Sequence, residues 1–407
     1  MNQLGCSLSL VTSSIHLASF LYDSNLPHIG HNALTLLLLL LCLSATGYYG
    51  LAIYAASAFF SQPPIFDLDF HPPISILKPI CGSDRDTYAN LASFCQQDYP
   101  TYQVIFGVQD PEDSSIPIVK QLIQDFPIVE IHLVICDRAI GMNRKINNLA
   151  NAEAIAKYSI LLLADSDIRV QSDYLQQVVQ PLHDQAVGIV TCLYRSQVHG
   201  WLATFESLSV TTEFLPSVFC SRMLEGMRSA LGATIVIRRS VLAEIGGFSA
   251  IANCLVDDFE LGNLVSARHP IILSRYIVDH VMAAERISDV LYRQIRWVQG
   301  IRFTRPLGYV SLIFTHGTVA SLLLLLITGG ALWSWVILGI TGFTRLAMAA
   351  VIGVKYLRDP VATGWLWLVP LRDLVSFAIW CYCFTDNKIQ WRGQQFHLIS
   401  GGKLLPL

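Results

Sequence analysis

Charge is scarce in this 407-residue chain. Only 14% of its residues are Asp, Glu, Lys or Arg, against 53% hydrophobic. Soluble domains carry about 25% charged residues, so part of this chain is expected to sit in lipid. The charges that exist nearly cancel, 27 basic against 30 acidic, for a net of −3. With no basic excess to neutralise phosphates, nucleic acid is excluded as the main partner. The ten cysteines are scattered, with no Cys-x-x-Cys pair and no accompanying His spacing. That pattern argues against zinc. Cys42, Cys381 and Cys383 lie in apolar stretches and read as small hydrophobes. Internal repeats are absent, and the leucine runs are the only low-complexity tracts.

The charge-free stretches show where the lipid-embedded parts lie. No formal charge occurs between Asp23 and Asp67, and the gap contains Leu36-Leu-Leu-Leu-Leu-Leu-Cys-Leu. Residues 33–60 are long enough to span a bilayer. A cleaved signal peptide fits less well, because no Lys or Arg precedes Lys78 and the apolar run starts late. Pro306 to Thr344 is also free of formal charge, and Leu346–Val354 and Val361–Phe384 are further candidates. Arg372 and Asp373 interrupt the last one, where a mutual pair or an interfacial position would accommodate them. The expected layout is an N-terminal region 1–66 with one span, a central domain 67–304 ending in an interfacial helix, a membrane region 305–386 and a basic tail 387–407. The Lys/Arg asymmetry places the central domain in the cytoplasm and the N-terminus outside. The tail's Lys388, Arg392 and Lys403 also favour the inside, which requires an even number of later spans. Three full spans there would break that rule.

Residues 67–304 alternate short apolar runs with amphipathic stretches, the signature of α/β layering. Strands are expected at 74–77, 103–108, 130–136, 158–163, 187–193, 233–237 and 272–278. Helices are expected at 85–96, 116–124, 144–157, 174–182, 205–214, 259–266 and 288–303. Between anchor and domain, Gln62-Pro-Pro to His71-Pro-Pro reads as a stiff linker.

Several strands end at carboxylates, the place where an α/β sheet presents ligand contacts. Asp110 closes Val104-Ile-Phe-Gly-Val-Gln and suits either a turn or a nucleotide contact. Asp165-Ser-Asp167 follows Ile160-Leu-Leu-Leu-Ala. Such a pair can hold Mg²⁺ or Mn²⁺ against a diphosphate, since hard cations take oxygen ligands and leave positions for substrate. Helix capping is the plain alternative, and Asp-x-Asp alone is a weak signal. Asp257-Asp258 opens a helix among apolar residues. Adjacent acids repel and lose hydration, which raises a pKa towards that of a general base; dipole placement alone would also put acids there. Arg293 and Arg296 lie three apart in Arg293-Gln-Ile-Arg-Trp297 and share a helix face. Their fixed forks suit a departing diphosphate, with Trp297 as a pocket wall; lipid-headgroup contact is the alternative. Gly141 to Leu149 starts a helix with Gly, Asn and Lys145, either a phosphate-attracting start or a plain capped one. His132, His183 and His199 form no ligand pattern.

Together these segments resemble membrane-bound family-2-like glycosyltransferases with a D, D, D, (Q/R)xxRW signature, and more narrowly the ceramide glucosyltransferase family. The resemblance is carried by Ile74-Ser-Ile-Leu-Lys-Pro-Ile, Val108-Gln-Asp110, Gly141 to Leu149, Asp165-Ser-Asp-Ile-Arg-Val, Asp257-Asp-Phe, Arg293-Gln-Ile-Arg-Trp and Trp391-Arg-Gly. It implies a GT-A (Rossmann-like) domain, a UDP-sugar donor, a divalent metal, a membrane-lipid acceptor and inversion at the anomeric carbon. By matching position it implies substrate contacts at Lys78, Asp110, Lys145 and Asp165, metal at Asp167, a base at Asp258, and a closing motif of Arg293, Arg296 and Trp297. Two departures stand out. Asp167 replaces a Gly of the animal-type enzymes, and their His in the strand after the second aspartate is not evident in Val190-Thr-Cys-Leu-Tyr. Bacterial hopanoid-associated relatives using an N-acetylglucosamine donor look equally similar around Ala230-Leu-Gly-Ala-Thr. A processive polysaccharide synthase and a non-catalytic membrane scaffold are the competing readings. The few late spans speak against the first, and the intact Asp258 and Arg296-Trp297 against the second.

Overall fold

The computed structural model describes residues 26–406 except 64–66, 68, 285, 392 and 393, with side chains from Gly30 onward. It divides into two units, Met1–Tyr48 with Leu312–Arg345, and Tyr49–Ser311 with Leu346–Leu407.

The second unit is built on an eight-stranded mixed sheet in the order β3-β2-β1-β4-β7-β6-β8-β5. Its strands are β1 Ile74–Pro79, β2 Tyr102–Val108, β3 Glu130–Ile135, β4 Ile160–Leu163, β5 Ile168–Arg169, β6 Ile189–His199, β7 Ile235–Arg238 and β8 Ile271–Ala283. Strands β3, β2, β1 and β4 run parallel, with Ile76 between Val104 and Leu162 in register. Every residue of β1 and β4 is buried. Such strands read as unbroken apolar runs because helices cover both faces. The order turns at β1 and β4, and that switch point opens a crevice beyond the carboxyl ends of the strands. β7 pairs antiparallel with β4, and β6 runs parallel with β8 over eleven residue pairs.

All seven expected strands are present. β6 and β8 run well past their expected ends, to His199 and Ala283, because their outer halves pair with each other. The expected helix 205–214 is longer and irregular: Trp201–Ser209, a π-type turn Val210–Phe214, then Leu215–Glu225.

The tail is folded, not merely basic. Lys388–Trp391 (β9), Gln394–Ile399 (β10) and Lys403–Pro406 (β11) form a three-stranded antiparallel sheet. Ile389, Phe396, Leu398 and Leu404 pack with Leu255. The Leu255 amide donates to the Gly402 carbonyl at 2.9 Å, and the Leu404 amide to Asn253 at 2.8 Å. Arg392 and Gly393, two of the three residues of the Trp391-Arg-Gly match, lie outside the described residues.

Among the described residues three helices are long and apolar enough to cross a membrane: Gly30–Ser61, Leu332–Tyr356 and Pro360–Tyr382. The pair Pro306–Thr315 and Gly317–Ile327, bent by 53°, passes the same test together. Within the first unit, Leu38 and Cys42 pack with Ala320 and Leu324. Pro360–Tyr382, which belongs to the second unit, is tied to the rest of it at both ends. Asp359, which caps it, accepts from the Ser196 amide at 3.4 Å. At the other end Arg302 donates to the carbonyls of Cys383 and Asp386. Arg372 from this helix is buried; it donates to Gln294 at 2.5 Å and lies 3.4 Å from Glu213.

Candidate active site

Three chain segments that are far apart in sequence meet at the β1/β4 crevice, and one lysine joins them. Asn143 caps the helix Arg144–Glu153 by accepting from the amides of Lys145 and Ile146, at 2.9 and 3.2 Å. The capped-helix reading therefore accounts for those amides, while the Lys145 side chain turns into the site. Its ammonium lies 2.8 Å from Asp165 Oδ1 and 3.0 Å from Asp257 Oδ2. Burial opposes its charge, but Asp165, Asp257 and Asp258 outweigh that and raise its pKa well above the ordinary value. Asp165 is pushed upwards by burial, with Lys145 resisting.

Asp257 and Asp258 form the first turn of the helix Asp257–Ser266. Asp258 Oδ2 accepts from the Gly232 amide at 2.8 Å, and Oδ1 from the Phe259 amide at 2.8 Å. Burial and the Asp257 charge raise its pKa to about 6, against the pull of Lys145. Gly232 is where the groups converge. A Cβ there would stand 3.0 Å from Asp258 Oδ2, 3.1 Å from Asp165 Oδ2 and 3.5 Å from Lys145 Nζ. A cavity runs beneath them, lined by Lys145, Asp165, Gly232 and Asp257 among others.

Asp167 follows on the short turn before β5. Its Oδ2 is 3.3 Å from His280 Nε2, while its Oδ1 is buried without a hydrogen-bond partner. Burial opposes ionisation, yet His280 and the Lys78 ammonium hold this carboxyl down at about 2. His280 is a site residue that the sequence reading missed. It stands on the long outer half of β8, paired with Ile168 in register. Burial disfavours its charged form, but Asp167 prevails and raises its pKa. The signal available in the sequence was a histidine inside a β-branched run, Tyr276-Ile-Val-Asp-His280, which needs strand pairing to acquire meaning. Tyr194 of β6 packs edge-on to its ring at 5.5 Å.

Lys78 sits differently from the expectation. It is fully buried, donates to the Asp165 backbone carbonyl at 2.7 Å, and lies 3.6 Å over the Phe94 ring. Burial lowers its pKa to about 7 despite Asp167 and Asp165. It fixes the end of β4 from behind rather than lining the cleft.

Asp110 is exposed beyond β2, on the same edge of the sheet as Asp165. Its Oδ1 takes the Glu112 amide at 2.9 Å in an Asx turn. Asp113 bonds the Ser115 amide and the Gly82 amide, so the turn chemistry is shared between the two acids. In the helix Ile287–Thr304, Arg293 grips the buried Glu206 with both nitrogens, and its charge is felt at Asp167 and His280. The Arg296 guanidinium lies 5.6 Å over the Trp391 ring. Trp297 is 37% exposed.

The profile of glycosyl transferase family 21 matches residues 37–404, nearly the whole chain. The chain belongs to glycosyl transferase family 21. Within this family it is ceramide glucosyltransferase-like. It is 26% identical over 347 residues to ceramide glucosyltransferase 3 of Caenorhabditis elegans, covering 82% of this chain and 74% of that one. Ceramide glucosyltransferase 1 of the same organism is 23% identical over 363 residues, with 82% and 73% covered. The ceramide glucosyltransferase of Candida albicans is 35% identical over 136 residues, 30% of this chain and 25% of that one. Among solved structures, the mannosyltransferase PcManGT from Pyrobaculum calidifontis, in complex with GDP-Man and Mn²⁺, aligns with a TM-score of 0.55 at 18% identity. That alignment covers 86% of this chain and 96% of the other, and it gives the family 21 chain its GT-A fold.

Proposed function

We propose that this glycosyltransferase transfers a single sugar, with inversion, from a UDP-sugar to the hydroxyl of a membrane lipid. The observation that carries the reading is the Asp258 carboxyl. Its pKa is near 6, and one glycine separates it from the Asp165–Lys145 pair. Asp258 takes the proton of the lipid hydroxyl as its oxygen attacks the anomeric carbon. The bond from that carbon to the diphosphate breaks, and UDP departs with the electron pair. Asp110 meets the nucleotide at the strand edge, and Lys145 and Asp165 contact the donor. Arg293 and Arg296 face the charge accumulating on the leaving diphosphate, and Trp297 walls the acceptor pocket.

A divalent metal fits this site. Asp167 offers a buried oxygen without a partner beside a second hard ligand, Asp165. Among the described residues no three His, Cys, Asp or Glu gather as a full ligand set. Asp167 and Asp165 would thus hold Mg²⁺ or Mn²⁺ together with substrate phosphates. When bound, the ion would supply neutralisation of the diphosphate.

The folded tail bears on topology. Because β9–β11 pack on the catalytic unit, both lie on one side of the bilayer, the cytoplasmic side by the Lys/Arg asymmetry. Helix Pro360–Tyr382 starts and ends at that unit, which favours an interfacial position for it. The bent pair 306–327 then crosses once and Leu332–Tyr356 returns, satisfying the even count.

Lipid extracts from a glycolipid-free host expressing the chain test the reading by mass spectrometry. A new lipid heavier by one sugar is expected. The added mass separates hexose from N-acetylhexosamine, and fragmentation separates ceramide from hopanoid. A product ladder would favour polymer synthesis, and no transfer to any lipid would overturn the proposal.

A further inference from the structure

At one end of two candidate spans, aromatic rings and cations from four parts of the chain gather. Phe60, at the end of Gly30–Ser61, stacks on Tyr356, at the end of Leu332–Tyr356, with ring centres 4.6 Å apart and planes 5° apart. Phe219 joins them from the helix Leu215–Glu225, 5.9 Å from Phe60. Three cations cover this cluster. Arg222 lies 4.8 Å over Phe59, Arg275 of β8 lies 5.8 Å over Phe60, and Lys355 lies 4.9 Å over Tyr356. Arg275 also donates to the Gln62 carbonyl just past the end of the first span.

Among the described residues, no carboxylate forms an ion pair with any of the three cations. Arg169, Arg195, Arg293 and Arg305 each have an acid, and Arg238, Arg239 and Arg302 are satisfied by backbone carbonyls inside the fold. Arg222, Arg275 and Lys355 instead gather over rings at the end of a candidate span. The chain as a whole is slightly acidic, so the local excess is not a matter of composition. Rings at a span's end occupy the headgroup level, and cations beside them that have no carboxylate partner meet whatever anion that level supplies.

We propose that Arg222, Arg275 and Lys355 form a binding surface for the phosphate of anionic phospholipids in the leaflet facing the catalytic domain. The inference rests on the membrane reading above but not on the assignment of donor or acceptor. The half-buried Phe60 and Tyr356 rings set the depth of the headgroup, with the buried Phe59 behind them, and the cations take its charge. Since Arg275 belongs to the strand that carries His280, the contact also holds the sheet against the bilayer.

The test uses full-length protein reconstituted in nanodiscs of phosphatidylcholine with increasing phosphatidylglycerol. Lipids retained after detergent exchange are counted by native mass spectrometry. Wild type should retain phosphatidylglycerol over phosphatidylcholine. Each of Arg222→Gln, Arg275→Gln and Lys355→Gln should weaken that preference roughly five-fold. Arg222→Lys and Arg275→Lys, which keep the charge, should retain most of it. Lys355 is exposed, so Lys355→Gln remains informative even if an arginine variant fails to fold. Equal retention of both lipids by wild type, or unchanged preference in Lys355→Gln and the other folded Gln variants, would overturn the inference. Release of the wild-type protein from membranes by alkaline carbonate would instead sink the membrane reading itself.

Discussion

Arg293 and Glu206 form a two-pronged pair, Nε to Oε1 at 2.6 Å and a terminal nitrogen to Oε2 at 2.5 Å, and the glutamate is wholly buried. The bond fixes the first arginine of the Arg293-Gln-Ile-Arg-Trp297 segment to the helix Trp201–Ser209. Gln294 touches the same glutamate at 3.4 Å and hands on to Arg372, which faces Glu213. Two acids and two arginines thus balance in one network, with Glu206 and Arg372 buried and Arg293 and Glu213 partly exposed.

Removing one member of such a network leaves a partly buried charge uncompensated, at a cost below the roughly 3 kcal/mol of a fully buried one. Glu206→Gln should therefore lower the unfolding midpoint in detergent and reduce turnover. Arg372→Leu should act in the same direction, through Gln294 and Glu213. Melting curves indistinguishable from wild type would show that the network contributes nothing to stability.

Asp258→Asn should cut turnover by about a hundred- to ten-thousand-fold, the range of general-base catalysis, with donor binding by calorimetry nearly unchanged. The same change should raise the melting temperature at neutral pH. The folded pKa of Asp258 lies above its unfolded value of 3.8, so its ionisation destabilises the fold as pH rises through about 6. Lost donor binding with preserved turnover would reverse the roles given to Asp258 and Asp165.

The kcat/KM of the wild type should climb as pH passes about 6 and Asp258 loses its proton. A profile that is flat between pH 5 and pH 7 would remove Asp258 from the base role.

Gly232→Ala tests the convergence itself. Its Cβ would meet Asp258 Oδ2 at 3.0 Å and Asp165 Oδ2 at 3.1 Å, so both carboxylates must shift by a few tenths of an ångström. Small displacements of positioned groups reduce rates steeply, here by roughly ten- to a hundred-fold in kcat. Wild-type kinetics in this variant would mean that the glycine is merely tolerated.

Single-cysteine labelling checks the topology. A cysteine at Gly330, between the bent pair and Leu332–Tyr356, should react with an impermeant maleimide only from outside. One at Asn387 should react only from the catalytic side. Reaction of Asn387 from outside would make Pro360–Tyr382 a true span.

Much of this was legible because the site lies at the ends of regular elements. Apolar runs in β1, β2 and β4 marked the sheet, and their terminal carboxylates marked its edge. The elevated pKa of Asp258 followed from two adjacent acids among apolar neighbours. His280 was hidden because its partner depends on which strand lies beside β5, a long-range choice that periodicity does not encode. The burial of Lys78 against the Asp165 carbonyl was hidden for a related reason: its motif gave the strand but not which face of a doubly covered sheet the side chain takes. The tail's strands are four to six residues long and rich in Lys and Gln. They acquire their apolar face only against Leu255, Val256 and Phe303.

That packing orders events during the protein's making. The backbone bonds from β11 and its turn to Asn253 and Leu255 sit just ahead of the acid pair. The helix start bearing Asp257 and Asp258 therefore gains its outer support only once β9–β11 have been made and folded back onto it.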